Sequence, residues 1–113
     1  LGERGGFMMG ENKVKQYDTI NNPSHYHGKN GMEAIDVIEN FIGDLAGKAG
    51  WAWGNSMKYL LRFQKKNGIE DVKKAFRNLV WVLEEIAGKK ESLAFLSSLV
   101  KELENEQVHK ESD

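Results

Sequence analysis

The chain has no cysteine, which excludes disulfides, thiolate metal sites and a cysteine nucleophile. That lack suits a reducing compartment, so a cytoplasmic protein is expected. Proline is almost missing too: Pro23 stands alone, and nothing of its kind breaks a helix further on. No apolar run approaches the ~20 residues that cross a bilayer. The opening LGERGGFMMG lacks the apolar core of a secretion signal. A surplus of charge is absent as well, because the 113 residues sum to −1. No membrane partner is expected, and bulk attraction to nucleic acid is not expected either.

What the chain does have is charge unevenly spread. Residues 54–77 carry about +5, between about −3 over 32–53 and about −4 over 78–113. A local anion site fits that pattern better than a long nucleic-acid track. The length suits one domain with one modest core.

Apolar spacing predicts helices. Residues 1–19 show no period and are expected to be flexible. The turn-rich TINNPSHYHGKNG (19–31) reads as an ordered loop anchored by Ile20, His25 and Tyr26. Met32, Ile35, Ile38, Phe41 and Ile42 recur at helical spacing, predicting a first helix over 32–42. A second should run from about Trp51 to Lys66 and stop at Asn67-Gly68. A third spans about Glu70 to Ala87 and closes at Gly88, and a fourth spans about Glu91 to Gln107. Residues 108–113 are expected to form a flexible tail. In the fourth helix Leu93, Leu96, Val100 and Leu103 form a short coiled-coil-like seam, which either closes the bundle or meets another subunit. No stretch alternates as a strand does. The predicted fold is therefore all-α: one domain over 20–107, a compact bundle of three to four helices with short antiparallel connections, expected to be oligomeric.

Two groups carry chemistry. On the second helix Asn55, Lys58, Arg62 and Lys65 share one face, with Tyr59 and Lys66 beside it. An arginine fork, mobile lysines and a neutral amide are the donors a phosphate wants. Lys74 and Arg77 extend the positive field if the third helix packs antiparallel on the second. Glu33 and Asp36, three apart on the first helix, can share a divalent cation. His25 and His27 lack the spacing of a zinc site. GDLAGKA (43–49) fails as a P-loop: three residues rather than four separate its glycines, and Ala49 replaces the Ser or Thr.

NNPSHY (21–26), MEAIDVIE (32–39), GNSMKYLLRFQKK (54–66) and IEDVKKA (69–75), in that order, resemble a family of small bacteriophage proteins. That family is of unknown function, and some members are described as nucleotide kinases after the T7-type phage nucleotide kinase. The resemblance covers roughly 20–87 and leaves the fourth helix outside the shared core. By position Pro23, His25 and Tyr26 match its loop, and Glu33 and Asp36 its acidic helix. Gly54, Asn55, Lys58, Tyr59 and Arg62 match its basic helix, and Asp71, Lys74 and Ala75 the start of its third.

The resemblance implies phosphoryl transfer from a nucleoside triphosphate to a deoxynucleoside monophosphate without a P-loop, in a host cytoplasm. On that reading Lys58 and Arg62 hold the phosphates, and His25 orients the transferring group. Tyr26, Asn55, Tyr59, Lys65, Lys66 and Lys74 bind substrate, and Glu33 and Asp36 hold Mg2+. Two other readings stand beside it: an interaction protein that engages a host factor or RNA, and an all-α Mg2+-dependent pyrophosphohydrolase. The latter usually gathers four carboxylates.

Overall fold

The computed structural model describes residue 20 and residues 23–112. The flexibility expected of residues 1–19 lies outside them. Four α-helices follow one another: α1 (Ala34–Phe41), α2 (Gly47–Arg62), α3 (Ile69–Ala87) and α4 (Lys89–Ser112). Single 3₁₀ turns at Ser24–Tyr26 and Phe63–Lys65 precede α1 and extend α2. No strand occurs among the described residues; a lone antiparallel bridge joins His27 to Glu33. The all-α prediction holds. No helix among the described residues is long and apolar enough to cross a membrane.

Boundaries differ from the sequence reading where glycine and cap geometry decide. α1 starts at Ala34 because Glu33 is extended (φ −88°, ψ 147°) and serves as its N-cap. The connector expected before Trp51 is partly helical, since Gly47 and Gly50 belong to α2. Gly50 is needed there: a Cβ would come 3.1 Å from the Leu45 carbonyl oxygen. Gly68, at φ 58°, turns the chain between α2 and α3 as expected. α4 runs on to Ser112, so residues 108–112 of the tail expected to be flexible (108–113) are helical; residue 113 lies outside the described residues.

α2 and α3 form an antiparallel hairpin, and its interior is unusual. The only fully buried apolar residues described are Ala34, Ala52 and Ala75, while Ser56, Arg62, Asp71 and Asn78 are buried beside them. Small side chains let the helix axes approach closely, and polar pairs fill the seam. From the open end inward, an aromatic contact of Trp51 with Trp81 (ring centroids 5.7 Å) is followed by the polar pairs Asn55 to Asn78 (3.3 Å) and Arg62 to Asp71 (3.1 Å). Ser56 donates to the Ala75 carbonyl at 2.8 Å. Every buried polar group in this seam thereby gains a partner, which offsets its desolvation.

Most large apolar side chains lie elsewhere. Ile69, Phe76 and Ile86 of α3 and Leu93, Val100 and Leu103 of α4 are all exposed. α4 touches α3 near its start, where Ser92 is buried, but side chains 97–110 are exposed all round. The seam of α4 therefore does not close this bundle.

A candidate anion site beside Tyr59

Arg62 organises the region. Its Nε and Nη2 donate to the two carboxylate oxygens of Asp71 at 3.1 and 3.2 Å, and its Nη1 donates to the Tyr26 hydroxyl at 2.8 Å. Asp71 is wholly buried and also accepts from the Asn67 backbone N–H (3.4 Å) and side-chain amide (3.3 Å). Those hydrogen bonds, Arg62 foremost, hold the Asp71 carboxyl below its ordinary 3.8 although burial works the other way. Burial pulls the Arg62 guanidinium down, yet Asp71 and Tyr26 together raise it above its ordinary value. The pair stays charged and bidentate. Arg62, expected to grip phosphate, is thus occupied with holding α3 and the 3₁₀ turn in place.

The loop is tied down a second time. Lys65 Nζ donates to the His27 carbonyl oxygen at 2.6 Å. Gly28 N–H bonds to the Met32 carbonyl at 2.9 Å, and the Gly31 N–H to that of Gly28 at 3.0 Å, which folds the chain back toward α1. Between this loop, α1 and α2 lies a cavity of about 300 Å³. Its apolar walls come from Pro23, Ala34, Ile35 and Ile38, with Ile20 at the edge; its polar ones are Tyr26, His27, Glu33 and Lys58. Glu33 and Lys58 therefore border one space. Asp36 is not among the lining residues, and because Glu33 precedes the helix the two carboxylates do not share a helical face.

Three cations surround the Tyr59 ring: Lys58 Nζ at 4.9 Å, Arg62 Cζ at 5.0 Å and Lys74 Nζ at 5.6 Å from its centroid. The stacking role expected of Tyr59 meets a ring already flanked by charge. Asp71 compensates Arg62. Among the described residues neither Lys58 nor Lys74 has an ion-pair partner. Two ammonium groups beside one ring, with no ion pair to a described residue, make a local positive potential that favours an anion.

The remaining predicted residues separate. Asn55 is used by Asn78, whose own amide donates to the Lys74 carbonyl at 2.9 Å. His25 packs on Tyr26 (centroids 4.3 Å); partial burial, then Lys66 and Arg62, keep its pKa below 6.5, so it is neutral at pH 7. Lys66 is exposed just past the second 3₁₀ turn. Two participants were not foreseen in these roles. Buried His27 lines the cavity, and Asp71 anchors Arg62. The signal for Asp71 was there, since a hairpin turning at Asn67-Gly68 sets it opposite Arg62.

The fold and site define a class: an all-helical protein with a polar-seamed hairpin, a cavity bordered by Glu33 and Lys58, and a cluster of cations at Tyr59. A family profile described as a protein of unknown function, DUF3310, matches residues 20–79. The chain belongs to that family. The match spans the loop, α1, α2 and the first part of α3, and leaves α4 outside. Neither the comparison with curated proteins nor that with solved structures gives a match.

Proposed function

We propose that this protein handles nucleotides, as a phage-type nucleoside monophosphate kinase that moves a phosphoryl group from a nucleoside triphosphate to a deoxynucleoside monophosphate. The observation that carries the reading is the pair of lysines, Lys58 and Lys74, that flank Tyr59 with no ion pair to a described residue, Lys58 also bordering the cavity. A space of about 300 Å³ lies at the small end of ligand pockets and takes one nucleotide. The acceptor occupies it, and the donor's phosphates lie over Tyr59 between Lys58 and Lys74. An acceptor phosphate oxygen attacks the γ-phosphorus, the bond to the β,γ-bridging oxygen breaks, and the nucleoside diphosphate leaves. Such a transfer asks the protein for positioning and charge neutralisation, and for no protein nucleophile.

Glu33, the carboxylate at the cavity, fits Mg2+ that takes one or two protein carboxylates plus phosphate oxygens. When bound, the ion would neutralise charge developing on the bridging oxygens. Arg62 acts as a positioning residue through Tyr26 and Asp71.

Incubating the protein with Mg2+, a triphosphate and each deoxynucleoside monophosphate tests this. Formation of two diphosphates is expected, with kcat/KM at least ~10-fold lower in Lys58→Ala. No diphosphate with any acceptor would overturn it. Pyrophosphate released from a triphosphate alone would favour the hydrolase. The interaction-protein reading draws instead on the exposed apolar faces of α3 and α4.

A further inference from the structure

Isolated helices shorter than ~12–15 residues are marginal in water. The outer half of α4, side chains 97–110, is exposed on every side, and among the described residues no other helix packs along it. That half nonetheless presents Leu99, Val100 and Leu103, and the alternating three-four spacing of Leu93, Leu96, Val100 and Leu103 is that of a coiled-coil seam.

We propose that α4 pairs antiparallel with α4 of a second copy of this chain, centred near Ser98 and Leu99. The self-complementary apolar seam selects the occupant, and one pair of charges, Lys90 and Glu104, favours the direction. The first turn of α4 carries Lys89, Lys90 and Glu91; its later half carries Glu102, Glu104 and Glu106 beside Lys101, with His109 and Lys110 in the last turn. An antiparallel register lays Leu93 over Leu103 of the second copy and Leu96 over its Val100. It brings Lys90 of each copy beside Glu104 of the other and sets the helix dipoles in opposition. A parallel register would hold Lys90 about 21 Å from Glu104 of the second copy and lose that pair. The area is sufficient: Leu93, Leu99, Val100 and Leu103 offer roughly 400 Å² of apolar surface per copy, about the apolar share of a standard ~800 Å² patch. The pairing uses neither Lys58 nor the cavity, so it stands or falls apart from the nucleotide reading.

The absence of cysteine gives a direct test. In this register the two copies of residue 99 lie ~3 Å apart along the helix axis, and those of residue 103 about 15 Å. Oxidised Leu99→Cys should form an interchain disulfide, and Leu103→Cys should not. Sedimentation of the full chain should give a dimer or a multiple of it, with association at least ~100-fold weaker in the Val100→Asp, Leu103→Asp double variant. Lys90→Glu should weaken association several-fold, and adding Glu104→Lys should restore it. A monomer at every concentration, Leu103→Cys cross-linking as readily as Leu99→Cys, or an unchanged mass in the double aspartate variant would each overturn the proposal. If the aspartate variant loses its helices by circular dichroism, the cysteine pair decides.

Discussion

Helix α3 turns two unlike faces to its surroundings. The inward face, packed on α2, is Asp71, Ala75 and Asn78, all buried; the outward face is Ile69, Phe76, Leu79 and Ile86, all exposed. Ordinary amphipathic helices do the reverse. The difference teaches that this hairpin is specified by partnered polar groups and small side chains, while its apolar capacity is left for surfaces beyond it. Polar seams are directional. Arg62 and Asp71 fix the register of α2 on α3, and through Tyr26 the same guanidinium fixes the loop that walls the cavity.

The inward face should be the costly one to disturb. Asp71→Asn leaves a buried guanidinium without its counter-charge and is expected to cost about 3–5 kcal/mol, read as a shifted urea midpoint. Replacing the pair together, Arg62→Met with Asp71→Leu, should cost far less than the two single changes combined. A double-mutant cycle that is merely additive would remove the pair from the account.

Acid should report the same contact. The Asp71 carboxyl is held below 3.8 in the fold, so its contribution is complete above that value and is lost as pH falls through the folded pKa. His25, held below 6.5, adds a smaller decline in the same direction, beginning as pH drops past 6.5. Asp71→Asn should abolish the lower step in a stability-versus-pH curve and leave the upper one. His25→Ala should do the opposite.

These predictions rest on a geometry that the sequence disclosed only in part. Helix number and order were legible from apolar spacing, and the hairpin from Asn67-Gly68. The partner of Arg62 was legible only by way of that hairpin, because an arginine on a basic stripe looks the same whether solvated, phosphate-bound or buried; only the facing helix distinguishes them. Glu33 was read as helical because MEAIDVIE keeps its period through the cap, where backbone dihedrals rather than periodicity set the start. The length of α4 escaped for a related reason, since polar residues after Leu103 give periodicity nothing to count.

Smaller effects sharpen the contrast. The Ser92 hydroxyl is buried against α3 with no hydrogen-bond partner among the described residues, so Ser92→Ala should stabilise by about 1 kcal/mol in thermal melts. On the outward face, Phe76→Ser should change the stability of the isolated chain by no more than ~0.5 kcal/mol at concentrations where it does not associate. A loss of several kcal/mol there would mean that the apolar face is already used within the chain.

The most direct measurement is calorimetric titration of a deoxynucleoside monophosphate and a triphosphate into the wild type and Lys58→Ala, with a melt of each protein alongside. The account predicts binding at least ~10-fold weaker in Lys58→Ala, about 1.4 kcal/mol, with the melting temperature unchanged. Equal binding by the two proteins, or binding by neither, would contradict it.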